Sequence, residues 1–295
     1  MNGNIFNKIV GGLPFKKEPM TQEESIMTAQ IDTLHVDATS ANIDICVHDK
    51  ENIEIALETY ETGPQLYVSQ EGANVTIAVE KRHSSYYSFK DMLHQTVMLS
   101  IRVPEALVKD WHIKATSGNI AIDQIVAHAL SVTTSSGHLK LSGLVLKKGI
   151  FKATSGHVSM KQLNVEEFTA EASSGQLTFK NSVCREGQLS CTSGNIELKE
   201  VEAFNVSLSI TSGNIRLLEV QSEHLDARTT SGTIITDFSK QALDVTVEAT
   251  VNSGNIVCRL PVIIQKETRH TLRGVIGNGE HLMLLKARSG SIVLA

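Results

Sequence analysis

Cys191-Thr192-Ser193-Gly194-Asn195-Ile196 and, 19 residues later, Ile210-Thr211-Ser212-Gly213-Asn214-Ile215 are two copies of one unit. Its glycine recurs at Gly118, Gly137, Gly156, Gly175, Gly194, Gly213 and Gly232, each step being 19 residues. Equal spacing of this kind marks a stacked repeat and fixes the architecture before any chemistry is considered. The series continues less regularly at Gly254, 22 residues on, and at Gly290, 36 beyond that, while Thr39-Ser40-Ala41-Asn42-Ile43 reads as a degenerate early copy.

Side chains around each glycine alternate with the period of two that marks a strand with one buried face. Trp111, Ile113 and Ala115 precede one corner as inward positions, and Ile120 and Ile122 follow it. Equivalent sets are Leu130, Val132 and Thr134 with Leu139 and Leu141, and Val206, Leu208 and Ile210 with Ile215 and Leu217. Further apolar positions at Ile125, Leu144, Leu163, Val201 and Val220 imply a short third side. Thr/Ser-Gly-Asn punctuation and β-branched alternation oppose a helical repeat. The expectation is an all-β, single-stranded parallel β-helix, a solenoid of right-handed winding with 19-residue rungs, placing like above like at about 4.8 Å.

Four regions follow: 1–30 as an N-terminal cap or tail, 31–110 as irregular rungs with insertions, 111–258 as regular repeats, and 259–295 as a C-terminal hairpin and last rung. Ile31 to Val47, Asn52 to Tyr60, Gln65 to Val79 and Val97 to Val103 alternate as strands. Gln70-Glu71-Gly72-Ala73-Asn74 reads as a hairpin loop and His83 to His94 as an exposed insertion. Gly277-Asn278-Gly279 fits a tight hairpin between its flanking strands, since Asn-Gly takes left-handed conformations readily.

Lys plus Arg total 27 against 32 Asp plus Glu, a formal charge of −5 with no long run of either sign. That opposes a nucleic-acid or anionic-lipid surface, which needs a basic stripe. Four cysteines, Cys46, Cys184, Cys191 and Cys258, form no CxxC pair and are compatible with a reducing compartment. Gly11, Gly12 and Pro14 interrupt the apolar character of the first 20 residues, and no membrane-length apolar run occurs. The expectation is a soluble, cytoplasmic protein, the alternative being a peripheral location at the membrane or cell surface.

Ile101-Arg102-Val103-Pro104, the strand reaching Ala115-Thr116-Ser117-Gly118-Asn119-Ile120, the repeated Ser-Gly-Asn-Ile units and a closing strand to Ser289-Gly290-Ser291-Ile292 together resemble the bacterial putative-adhesin family, a domain of unknown function. The likeness spans roughly Ile31 to Ala295. It implies a β-helix and an adhesin-like role linked to the cell envelope or its stress response.

Individual motifs add little chemistry. The Ser-Gly corner could cradle a phosphate, but it recurs in every rung, and glycine there supplies the positive φ of a sharp turn. Gly277-x-Gly279 lacks the third glycine of a dinucleotide site. Ser117, Ser136, Ser155, Ser174, Ser193, Ser212, Ser231 and Ser253 make a hydroxyl column whose simplest role is local hydrogen bonding. His138 and His157 should stack, with Asn119 and Gln176 as neighbours too poor to complete a metal site. Asp123, Glu166, Glu171, Glu197, Glu219 and Asp226 share no repeat phase, and aromatics are 4% of residues. No catalytic, cofactor-binding or metal-ligating residue is therefore expected, and a non-enzymatic structural or interaction protein is the reading. A carbohydrate-binding or carbohydrate-cleaving β-helix is the alternative. Expected partners are a protein or envelope component, with no nucleic acid, and a second copy joined edge to edge through the strand at Ile292-Val293-Leu294-Ala295.

Overall fold

The computed structural model describes residues 19–27, 31–81, 96–105, 107–238 and 243–295. The expected insertion from His83 to His94 and most of the first 30 residues lie outside this set. The described residues form an all-β structure whose regular part pairs in parallel at a constant offset. β8 (Val108–Ser117), β10 (Val126–Ser136) and β12 (Val145–Lys161) align Trp111 with Leu130 and Leu130 with Gly149, and β13 (Asn164–Asp237) continues the ladder with Phe168 beside Gly149. After the corner, β9 (Ile120–Asp123) pairs with β11 (Leu139–Ser142), and β11 with β12, in the same register. A residue and its partner are thus 19 apart in sequence, as Leu139 and Val158 are.

Inward positions form one continuous core. Trp111, Ile113, Ala115, Ile120 and Ile122 are buried, as are their equivalents from Leu130 through Leu217. The third apolar position is buried too, at Ile125, Leu144, Leu163, Val201 and Val220. Where that column reaches Ser182, the hydroxyl accepts the Leu163 N–H at 3.0 Å and donates to the Lys180 carbonyl at 2.6 Å, so a polar group is buried with its bonds made.

Both ends depart from a simple coil. Near the N-terminus, β2 (Ile31–Ser40) and β3 (Asn42–His48) pair with β8 and β9 although 77 residues separate the partners Ser40 and Ser117. On their other side lie β6 (Asn74–Glu80) and β7 (Met98–Pro104), both parallel. The expectation of longer rungs throughout this region is corrected, because β4 (Asn52–Tyr60) and β5 (Gln65–Glu71) run antiparallel to β7 and β6. The Gly72 turn joins β5 to β6 with φ 61°, so that hairpin is present. β1 (Pro19–Met27) covers β4 rather than the first rung.

At the other end the order of strands is not the order of sequence. β18 (His281–Leu294) lies between β13 and β14 (Val245–Ser253), parallel to both, and its final residues also pair with β15 (Ile256–Cys258). The C-terminal strand is therefore internal, and the expected edge-to-edge homodimer loses the open edge on which it was built. Gly277-Asn278-Gly279 is not a tight hairpin either. β17 (Thr271–Ile276) pairs antiparallel with β14 on the side away from β18, so the glycines carry the chain across β14. β16 (Ile263–Thr268) closes this end as an exposed strand paired antiparallel to β17.

Candidate functional site

The repeated corners are the natural place to seek chemistry, since they concentrate polar residues at one phase. Their backbone is already committed. Gly118 has φ 123° and donates its N–H to the Ser136 carbonyl at 3.1 Å, and Gly137 does the same to Ser155 at 3.1 Å. An N–H bonded to the next rung is not available to an anion, so the corner is scaffold.

The residue after each glycine extends this pattern through its side chain. Asn42 Oδ1 accepts the Asn119 N–H at 2.9 Å, and Asn119 Oδ1 accepts the His138 N–H at 3.0 Å. His138 Nδ1 then accepts the His157 N–H at 3.1 Å, and His157 Nδ1 accepts the Gln176 N–H at 3.1 Å. Asn195 and Asn214 resume the series with bonds from Asn214 and Thr233 at 3.2 and 3.0 Å. His138 and His157 do stack, with centroids 4.9 Å apart and planes inclined by 13°. Each Nδ1 accepts a backbone proton, which places the ring proton of the neutral imidazole on Nε2. These rings substitute for asparagine in a structural ladder. Among the described residues no group of three or more His, Cys, Asp and Glu is placed to hold a metal ion.

A second stacked pair, His35 with His112 at 4.9 Å and 13°, is hidden in the sequence because 77 residues separate its members. A second corner was hidden as well. Gln124, Gly143, Gln162, Asn181, Glu200 and Glu219 all have φ between 50° and 64°. Only glycine and asparagine advertise that conformation, so a column made mainly of Gln and Glu gives no punctuation to read.

The remaining candidates disperse. Ser117 Oγ lies 3.1 Å from Ser40 Oγ and 3.3 Å from the Thr39 carbonyl, the local bonding expected of that column. Asp123 accepts the Ser142 hydroxyl at 2.7 Å, Glu171 pairs with Lys152 at 2.9 Å, Glu197 with Lys180 at 2.6 Å, and Asp226 with Arg228. These carboxylates do not converge. All four cysteines are free, and burial pushes the Cys184 thiol up to about 12, far from a reactive thiolate. The most organised loop is the crossover before β18. Asp244 accepts the Glu280 N–H at 3.0 Å and the Asn278 side-chain amide at 3.3 Å, and these bonds hold its carboxyl below the usual range, the Glu280 N–H being the largest cause.

Parallel strands registered around a stacked glycine corner define an all-β protein. The chain belongs to the Toastrack DUF4097 family, which it matches over residues 31–295. Among solved structures it is similar to a putative lipid binding protein from Parabacteroides distasonis ATCC 8503, at 14% identity and a TM-score of 0.56, with 95% of this chain and 98% of that one covered. It is also similar to a putative adhesin from Bacteroides fragilis NCTC 9343, with 14% identity, 95% and 98% coverage and a TM-score of 0.49. A putative adhesin from Parabacteroides merdae ATCC 43184 shares 13% identity over 74% of this chain and 96% of its own, with a TM-score of 0.46. At these identities the likeness concerns the fold. No curated protein matches the chain.

Proposed function

We propose that the chain is a single-stranded parallel β-solenoid with 19-residue rungs that works as a non-enzymatic, adhesin-like interaction scaffold, presenting its outward strand faces to a protein or envelope partner. One observation carries this reading. The recurring polar residues of the corner are spent on hydrogen bonds between rungs, as in the series from Asn42 through His157, so repetition serves rigidity and leaves the strand faces to make contacts. Among the described residues no helix is long and apolar enough to cross a membrane. The places proposed for the scaffold are the cytosol and the periphery of the membrane or cell surface.

The test pairs cross-linking pull-down from native cells, after fractionation into cytosol, membrane and wall, with a depolymerisation assay on neutral and acidic polysaccharides. Retention of a defined partner without turnover is the expected result. Catalytic turnover of any polysaccharide would overturn the reading.

A further inference from the structure

The strand inserted between β13 and β14 brings together cations that the sequence keeps apart. Lys286 on β18 stands between Arg228 of β13 and Thr250 of β14. Two residues on, Arg288 falls between Thr230 and Asn252, since Ala287 and Ser289 on either side of it pair with Thr229 and Ser231 on one strand and with Val251 and Ser253 on the other. These residues line a shallow depression of about 350 Å³. Arg228 is held by Asp226 in a bidentate ion pair, its Nε donating to Oδ1 at 2.8 Å and its Nη2 to Oδ2, so its charge is partly offset. Among the described residues neither Lys286 nor Arg288 has a carboxylate partner. Three cations against one carboxylate leave the depression positive on a chain whose formal charge is −5.

A second row of cations makes the contrast. Lys161, Lys180 and Lys199 also stack at one phase, but Glu197 lies 2.6 Å from Lys180 and Glu200 lies 3.7 Å from Lys199, so that row is largely neutralised by the protein itself. The depression on β18 has no such internal counter-charge beyond Asp226.

We propose that this depression binds a phosphoryl group, as a phosphate monoester or diester, between Lys286 and Arg288, with Arg228 as the third cation and Thr230, Thr250 and Asn252 as neutral donors. Adjacent strands lie about 4.8 Å apart and alternate residues on one strand about 7 Å apart. A tetrahedral oxyanion accepting charge-assisted bonds of about 2.7–2.9 Å on different oxygens bridges donors at such spacing, and an arginine fork suits two of them. The inference stands whether or not the scaffold reading holds. Binding at so open a site is salt-dependent, because exposed charges are screened over about 10 Å at 0.1 M.

The full chain and the double variant Lys286→Gln/Arg288→Gln are compared in two arms. In the first, melting temperature is followed against inorganic phosphate at constant ionic strength held with chloride. Phosphate stabilises many proteins by exclusion from their surface, so the part of the rise that counts is the saturable part present in the wild type and missing from the variant. In the second, flotation is measured with vesicles of phosphatidylglycerol in phosphatidylcholine and of phosphatidylcholine alone. A difference between the proteins in the phosphate arm alone assigns the group to free or polymer-borne phosphate, and a difference in the vesicle arm assigns it to a lipid headgroup. Identical behaviour of the two proteins in both arms overturns the proposal. If the double change disturbs folding, the single Lys286→Gln and the charge-retaining Lys286→Arg/Arg288→Lys carry the same comparison, the first losing the response and the second keeping it.

Discussion

The carbonyl oxygen of Gly175 lies 1.7 Å from the point where a Cβ on Gly194 would stand. The same relation joins Gly213 to Gly194 and Gly232 to Gly213, so the glycine column is a steric consequence of stacking as well as of a φ of 140° at Gly194. Gly194→Val should lower stability by more than about 1 kcal/mol, since neither a backbone atom at that distance nor the positive φ can be relieved locally. Gly194→Ala should fall on the same side. Urea unfolding with an unchanged midpoint for Val would refute the corner geometry.

Ile196 and Glu197 are neighbours on opposite faces. Ile196 is fully buried, while Glu197 reaches Lys180 at 2.6 Å on the surface. Ile196→Asp should cost at least about 4 kcal/mol by adding a buried carboxylate to a lost apolar side chain. Glu197→Ala should stay within about 1 kcal/mol, as a surface ion pair contributes little. Similar denaturation midpoints for the two variants would contradict the register.

His138 acts through the acceptor atom of its ring. His138→Asn should leave stability within about 0.5 kcal/mol, because asparagine does the same work at Asn119, Asn195 and Asn214, whereas His138→Leu removes the acceptor and should cost about 1 kcal/mol. Nitrogen-15 spectra of the imidazole supply a direct check at neutral pH. A proton on Nδ1 in the neutral ring is the result that would break the argument.

Asp244 organises the loop that delivers β18. Its carboxyl is held below the usual range first by the Glu280 N–H, with the Gly279 and Asn278 groups adding to it. A depressed folded value means that the charged form is favoured in the native state. The contribution is complete above the unfolded carboxylate value of about 3.9 and is lost as pH falls through the folded value. Asp244→Asn should therefore be less stable than wild type at neutral pH, with a gap that holds down to about pH 5 and closes below about pH 4. A gap independent of pH across that window would show that the charge is irrelevant.

Because β18 pairs on both sides, it cannot be removed as a free edge would be. Deleting 281–295 should separate β13 from β14, lower the urea midpoint and expose strand edges that associate on a sizing column. A monomeric product with the wild-type midpoint would mean that β18 is dispensable.

Much of the regular region was legible because its information is local and periodic. The spacing of Gly118 to Gly232 gave the stacking offset, and the alternation through Ile113, Ile120 and Ile122 gave the buried face. The hairpin at Gly72 carried its own turn signal. The second left-handed corner was illegible because Gln and Glu adopt it under tertiary constraint, without the intrinsic preference that marks glycine. Antiparallel β4 looked like one more rung because alternation does not encode strand direction. The site candidates fared similarly. His138 and His157 were found together at one repeat step, while His35 and His112 were not, since the intervening chain folds away and returns.

By itself, then, the sequence determined an all-β chain with a 19-residue parallel offset, an inward set of apolar residues and a glycine at the main corner, because the side-chain period, the equal spacing of the glycines and the lack of room for a Cβ where corners stack are all written into the chain. Tertiary structure alone decided the order at the ends. In space Gly290 stands between Gly232 and Gly254, although it comes last in the chain. The physical reason is that a rung's open edge offers the same row of N–H and C=O groups to any strand of matching register, so sequence order does not select the neighbour. The β16–β17 hairpin and the loop held by Asp244 make that selection, and with it they set Lys286 and Arg288 beside Arg228.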